Sequence, residues 1–249
     1  MPHVDLNADM GESFGAWTLG DDAALLKIVT SANIACGGHA GDKETMRAVV
    51  KLAKEHSVKI GAHPSFPDKE NFGRIIMDMS CVALYTSIKN QIKDLISVLE
   101  EEHVPLHHIK PHGALYNLAA VDEKAANVIV EVVKALRVPV ELYVPFKSVI
   151  ADVAIQNNIR IFYEVFADRN YNNDLTLVSR QEKNALITDP DVMFEHVYNM
   201  ILNGNVKTIS GESVAINAQT ICVHGDNHDA VKLISSLVSR LKSKGIKIR

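Results

Sequence analysis

The sequence predicts an α/β chain closed as a barrel, and two observations predict it. Seven short β-type runs alternate with longer helical patterns along the 249 residues, the signature of crossover units and a parallel sheet. Several of those runs carry polar side chains at every second position, whereas strands buried between helices should be apolar on both faces. The alternation alone fits either a barrel or an open doubly wound sheet. The polar faces fit a barrel with a polar mouth, because the strands can then deliver Asp, Asn, His, Lys and Glu to one interior. There they meet each other, water or a ligand; singly desolvated, each would cost roughly 2–7 kcal/mol.

The first run, HVDLNAD from His3, sets Asp5, Asn7 and Asp9 on one face and Val4, Leu6 and Ala8 on the other, since side chains alternate across a strand. The second, SANIAC from Ser31, carries Asn33 and runs into ACGGHAGDKET. Glycines 37, 38 and 41 let the backbone there approach a ligand, with His39 at the tip and a helix start at Asp42. The third, VKIGAHPS from Val58, ends at His63 and continues into a long loop bearing Asp68 and Arg74, placed to fold over the mouth as a lid. Ser80 then caps a helix whose apolar stripe is Ile88, Ile92, Leu95, Ile96 and Leu99.

The fourth run, HHIKPHGAL from His107, puts His108, Lys110 and His112 on one face. Val128, Ile129, Val132, Val133 and Leu136 repeat the helical spacing before the fifth run, VPVELYVP from Val138. In the sixth, IRIFYEVF from Ile159, Glu164 and Asp168 share a face if the extended run persists. Asp189 followed by Pro190 opens a helix, proline suiting the first helical position. In VKTISGESVAIN, two β-type runs flank a Ser-Gly-Glu-Ser turn, which predicts a hairpin insertion at about 204–217 within a single domain spanning 1–249. The seventh run, QTICVHGD from Gln219, places His224 with Asp226; a last helix follows, and Lys242, Lys244, Lys247 and Arg249 read as a solvated tail.

Composition narrows the function classes. The chain is 47% hydrophobic and 22% charged, a globular balance, and 26 basic against 30 acidic residues give a net charge of −4. No overall positive field draws it to nucleic acid or anionic lipid. Apolar stretches fall well short of the roughly 20 residues that span a bilayer, and acids stand where a secretory signal has its apolar stretch, so a cytoplasmic protein is expected. Three scattered cysteines, 36, 81 and 222, make no disulfide scaffold or CxxC knuckle and read as small buried hydrophobes.

Some motifs fail on context. Gly11-Glu-Ser-Phe-Gly15 matches the hydrolase elbow pattern without the immediate strand-to-helix turn it needs. No GxxxxGK[ST] loop exists for autonomous ATP binding. Asp9, His39, His63 and His224 include residue types that bind divalent ions, so a divalent metal is compatible with the sequence, but no local spacing requires one and no metal ligand is assigned.

The segments DLNADMGE, SANIACGGHAGD, IGAHPSFPD, FGR, IKPHGALYN, EVFADRNY and CVHGDNHDAV together resemble the LamB/YcsF family, in the right order over nearly the whole chain. The resemblance implies a seven-stranded (β/α) barrel, TIM-barrel-like and related to the glycoside hydrolase and deacetylase barrels. It also implies ATP-dependent opening of 5-oxoproline to L-glutamate with two other 5-oxoprolinase subunits as partners. On that scheme the partners phosphorylate the amide oxygen and this chain hydrates the ring. A base among Asp9, His63 and His112 takes the water proton, Lys110 or Arg169 balances the substrate charge, and Glu164 and Asp168 position these cations. Asn7, Asn33, His39, Arg74, Asp168, Arg169, His224 and Asp226 are the expected substrate-binding set. A metal-dependent deacetylase acting on an amidated sugar and a non-catalytic regulatory protein that binds a small acid are the other readings. The chain departs from the family pattern at Gly38, where Phe is usual, at NFGRI, and at NDLTLVSR, which lacks the usual Gly and Pro.

Overall fold

The computed structural model describes residues 2–13, 20–225 and 229–249; Asp226 lies outside them. In chain order the elements are β1 (His3–Met10), α1 (Asp22–Leu25), β2 (Ser31–Ala35), α2 (Lys43–Glu55), β3 (Lys59–His63), α3 (Cys81–Glu101), β4 (His108–Ile109), α4 (Gly113–Ala119), α5 (Glu123–Leu136), β5 (Glu141–Pro145), α6 (Val149–Gln156), β6 (Arg160–Phe166), α7 (Pro190–Leu202), β7 (Asn205–Lys207), β8 (Ser213–Ala215), β9 (Thr220–Val223), α8 (Ala230–Ser243) and β10 (Lys247–Ile248). The strands β1, β2, β3, β4, β5, β6 and β9 pair in parallel in that order, and β9 pairs back onto β1, closing a seven-stranded barrel. β7 and β8 form a separate antiparallel hairpin.

Each local signal has a physical counterpart. Ser80 accepts a hydrogen bond from the Ala83 amide at the start of α3, Asp42 does the same for Thr45 in α2, and Asp189 caps α7 ahead of Pro190, satisfying amides that the helix leaves unpaired. The helices turn their apolar stripes inward: Ile88, Ile92, Leu95 and Leu99 of α3 and Val128, Ile129, Val132 and Val133 of α5 are buried, each such side chain contributing roughly 1.5–3 kcal/mol by leaving water. From the barrel they meet the outward residues of the strands, Val4, Leu6, Ala8 and Met10 of β1 among them.

Inside the barrel the order is reversed. Polar side chains fill the bore, where barrels of this type usually stack Val, Ile and Leu. Nearest the strand starts, the Asp5 carboxylate accepts from Thr30, Ser31, Tyr143 and Thr220. Above it, Asn33 donates to Asn7 and to Asp9, and its own carbonyl oxygen meets His108 Nε2 at 2.7 Å.

Three expectations change. The fourth run is strand only at His108–Ile109; Pro111 cannot extend the ladder, and His112 becomes the residue before α4. The closing basic segment is not merely a solvated tail, since Lys247–Ile248 adds a short strand to the start of β1. Cys36 and Cys222 are buried as expected, but Cys81 is exposed at the first turn of α3.

Gly61 of β3 opens the space that His108 occupies: a Cβ there would lie 2.1 Å from His108 Nε2. Gly61→Ala is therefore expected to drive the ring off Asn33 and cost about 1–3 kcal/mol of stability, read as a lower urea midpoint. An unchanged midpoint would show that the bore tolerates the methyl group.

Candidate functional site

A cavity of about 810 Å³ opens at the C-terminal ends of the barrel strands, the face on which barrels of this class place their ligands. Its floor holds an ion cluster. Lys110, directly after β4, is 2% exposed, and its ammonium lies 2.9 Å from Asp9 Oδ1, 3.0 Å from Glu164 Oε1 and 3.0 Å from Cys222 Sγ. Burial opposes the charge on Lys110, but Asp9 and its neighbours hold the ammonium well above its usual pKa. Burial likewise opposes ionisation of Asp9, and His63 and Lys110 outweigh it, so the carboxyl is held well below its usual range. A floor of this kind presents a fixed anion and a fixed cation whatever the pH near neutrality.

Beside it stand three imidazoles. His63 ends β3, His112 precedes α4, and His39 sits in the glycine-rich loop after β2. His39 and His112 stack with centroids 3.6 Å apart, and His63 meets both edge-on. His63 Nε2 lies 3.0 Å from His112 Nδ1 and 3.3 Å from Asp9 Oδ2. Burial, reinforced by the neighbouring rings, pushes the pKa of both His39 and His112 well below the usual imidazole value, which keeps these two rings neutral. The lid loop is built onto them. Gly73, at φ +62°, has no room for a Cβ, which would lie 2.9 Å from His39 Cβ, and the adjoining Phe72 carbonyl accepts from His112 Nε2.

On the far rim, His224 Nδ1 is 2.7 Å from Asp168 Oδ2. Burial works against the imidazolium, yet Asp168 holds the His224 pKa well above its ordinary value, while His224 helps lower that of Asp168 against burial. Arg169 is buried, donates to the Val178 carbonyl at 2.6 Å and keeps an unpartnered Nε. Its pKa is lowered by burial and by the adjacent Arg180, and both guanidiniums line the cavity.

Of the residues expected from sequence, Asp9, His63, Lys110, His112, Glu164, Arg74, Arg169 and His224 line this cavity. Asn7, Asn33, His39 and Asp168 do not. The two asparagines lie beneath the floor and orient Asp9 and Lys110, Asp168 orients His224 where a cation such as Arg169 was the expected partner, and His39 stands behind His112. Arg74 stacks over Phe72, its guanidinium carbon 4.8 Å from the ring centre.

Sequence reasoning passed over Glu12 and Asp22, which also line the cavity. Burial raises the pKa of both carboxyls, that of Asp22 to about 6. Glu12 stands inside the segment DLNADMGE that carried the resemblance, but β1 ends before it, so no alternation pointed to it. Gly38 gains a reason too. A Cβ there would lie 2.3 Å from Gln91 Oε1, and Gln91 uses that space to bind both backbone groups of Ser65 beside His63.

Two measurements test this electrostatic picture. Lys110→Met leaves Asp9 and Glu164 without their cation and is expected to cost roughly 3–5 kcal/mol, part of it recovered in the double variant with Asp9→Asn; an unfolding midpoint equal to wild type contradicts a buried charged lysine. For the His224 and Asp168 pair the signs run oppositely. The raised His224 contributes stability that is complete below the unfolded pKa of about 6.5 and lost as pH rises through the folded value. The lowered Asp168 contributes above about 3.9 and is lost as pH falls through its folded value. The stability difference between wild type and Asp168→Asn should therefore be widest between about pH 4 and 6.5 and shrink on the alkaline side. A difference that grows above neutrality refutes the pairing.

Relatives of the chain share its full length. A Bordetella parapertussis protein named as a 5-oxoprolinase subunit is 43% identical over 248 residues, covering 100% of this chain and 98% of that protein. A Pyrococcus abyssi protein of the same name is 43% identical over 245 residues, 98% and 96% of the two chains. Among solved structures, the lactam utilization protein from Thermus thermophilus superposes with a TM-score of 0.93 at 38% identity, covering 99% of both chains. With the LamB/YcsF family profile matching residues 4–249 and the barrel closed as that resemblance implied, the chain belongs to the LamB/YcsF family.

Proposed function

We propose that the chain is the ring-opening component of an ATP-dependent 5-oxoprolinase, converting the lactam 5-oxoproline to L-glutamate together with two partner subunits that hydrolyse the ATP. The observation that carries this reading is Arg169: a buried guanidinium with an unmatched Nε–H, pressed by Arg180, lining the same cavity as a fixed Asp9 carboxylate and the neutral His112 imidazole. A small substrate carrying one carboxylate matches the guanidinium, and a nearby ring N–H finds an acceptor in Asp9 or His112.

Hydrolysis of a five-membered amide needs an activated carbonyl, a water nucleophile and a proton for the departing nitrogen. On this reading Arg169 takes the substrate carboxylate, because the Lys110 ammonium already hydrogen-bonds to Asp9, Asn7 and Cys222 and pairs with Glu164. The His63 and His112 pair accepts the water proton. Of the three expected bases Asp9 is the weakest, since its lowered pKa suits it to stabilise an adjacent imidazolium rather than to hold a proton. Asp22, at about 6, is placed in the cavity wall to supply the proton that the ring nitrogen requires.

The sequence holds no GxxxxGK[ST] motif, which supports leaving phosphorylation of the amide oxygen to the partners; the naming of the relatives as subunits supports the existence of such partners. No helix among the described residues is long and apolar enough to cross a membrane, and a cytoplasmic setting supplies the ATP.

The test is reconstitution. Purified chain, its partner subunits, ATP and 5-oxoproline are expected to yield glutamate, with no product when any one component is omitted. Arg169→Gln should raise KM for 5-oxoproline at least tenfold. Absence of glutamate with all partners folded would overturn the assignment, and an unaltered KM would remove Arg169 from carboxylate binding.

A further inference from the structure

His63 and His112 are each held by their outer nitrogen. His63 Nδ1 lies 2.7 Å from the Lys110 carbonyl oxygen, and His112 Nε2 lies 2.9 Å from that of Phe72. A carbonyl can only accept, so both of these nitrogens carry the hydrogen. The two remaining nitrogens, each left with a lone pair, face one another at 3.0 Å. Lone pairs at that separation repel unless a positive species lies on them, either a proton on one ring or a cation shared by both.

The surroundings favour a cation. Glu12 Oε1 lies 3.5 Å from His112 Nδ1 and 3.1 Å from His39 Nε2, and the donor atoms of Glu12, His39, His63 and His112 all fall within 4.8 Å of one another. Zinc bonds to nitrogen and carboxylate oxygen are about 2.0–2.2 Å, and the edges of a tetrahedron built on such bonds are about 3.3–3.6 Å. The His63–His112 and Glu12–His112 pairs here, at 3.0 and 3.5 Å, already stand near those edges. Imidazoles that ligate metals typically donate their second N–H to a carbonyl or carboxylate, as both His63 and His112 do. The carbonyl that anchors His112 comes from Phe72, whose φ of +56° is unusual for a bulky side chain. One proton answers the His63 and His112 contact alone and leaves unexplained why Glu12 Oε1, already met by His39 Nε2 at 3.1 Å, also lies 3.5 Å from the His112 Nδ1 lone pair.

We infer that Glu12, His63 and His112 form a binding site for one divalent transition-metal ion of the zinc type, open to the cavity, with His39 stacked behind His112 and its Nε2 3.1 Å from Glu12. Two imidazoles and one carboxylate, with water completing the set, suit zinc, cobalt or nickel over magnesium or calcium. The neighbouring group of Asp9, Cys222 and His224 is no rival, because the Lys110 ammonium already lies 2.9 Å from Asp9 and 3.0 Å from Cys222. When bound, such an ion would supply a Lewis acid for a substrate oxygen and lower the pKa of its water, replacing the role of base that His63 and His112, their lone pairs then engaged, have in the ion-free chain. The inference concerns what the imidazoles hold and stands whether or not the substrate is a lactam.

The experiment is metal binding by the full chain, without substrate. Protein stripped with a chelator and reloaded with Zn²⁺ or Co²⁺ should retain about one ion per chain through desalting, and the cobalt form should show the strong visible absorption of a four-coordinate ion. His63→Gln and His112→Gln should each weaken Zn²⁺ binding at least ~100-fold, while His107→Gln, outside the cluster, should not. If the substituted chains fail to fold, wild type carries the test: Zn²⁺ should shift the ring resonances of His63 and His112 in the NMR spectrum and leave those of His107 in place. Folded wild type that retains no ion, an ion equally retained after both substitutions, or zinc-shifted resonances only outside the cluster would each overturn the site.

Discussion

The structure turns on one buried ammonium. Lys110 enters the bore just past β4 and is met by Asp9 from β1, Glu164 from β6 and Cys222 from β9, so a single side chain ties four of the seven barrel strands together at their C-terminal ends. Burying charges costs several kcal/mol per ion even after relaxation, and here the one ammonium offsets part of that cost for the two carboxylates beside it. The same residue acts a second time through its backbone, since its carbonyl receives the His63 Nδ1–H. Moving Lys110 would therefore disturb the ionic floor and the imidazole wall together.

Everything around the floor serves to hold it still. Asn33 donates to Asp9 and to Asn7, His108 reaches Asn33 through the gap left by Gly61, and Asn7 is fixed in turn by Thr220. Gly73 lets the lid loop approach the stacked rings closely enough for the Phe72 carbonyl to set the tautomer of His112. Gln91, reaching in from α3 beside Gly38, binds both backbone groups of Ser65. These contacts leave the polar groups little freedom to reorient, so their field is in place before any ligand arrives.

How much of this was legible in the sequence depends on range. The alternation in HVDLNAD exposed the inward face of β1 because it is a property of the strand alone, and the caps at Ser80, Asp42 and Asp189 were readable because each acts within three residues. Convergence of Asp9, His63, Lys110 and Glu164 was legible only as a consequence of polar faces needing one another. Partner identity was not. Asp168 was read together with Glu164, on the supposition that the strand continued; β6 ends at Phe166, and Asp168 turns to His224. Glu12 escaped because it lies past the end of β1, where no periodicity operates, and the role of Gly38 depends on Gln91, 53 positions away in the chain.

The polar bore also accounts for where the chemistry gathers. An aliphatic interior would stabilise the barrel by the hydrophobic effect but would end at the strand tips in an apolar floor unable to anchor a charge. In this barrel the hydrogen-bonded column runs unbroken from Asp5 through Asn7 and Asn33 to Asp9, so the last layer of the core is at once the first layer of the cavity. Asp9 stands at that boundary, with Oδ1 turned to Lys110 and Oδ2 to His63 and His224. Its Oδ1 is matched by a permanent cation from below. Its Oδ2 faces a cavity in which His63 Nε2 and His112 Nδ1 stand 3.0 Å apart, and that contact concentrates the demand for positive charge at this end of the barrel.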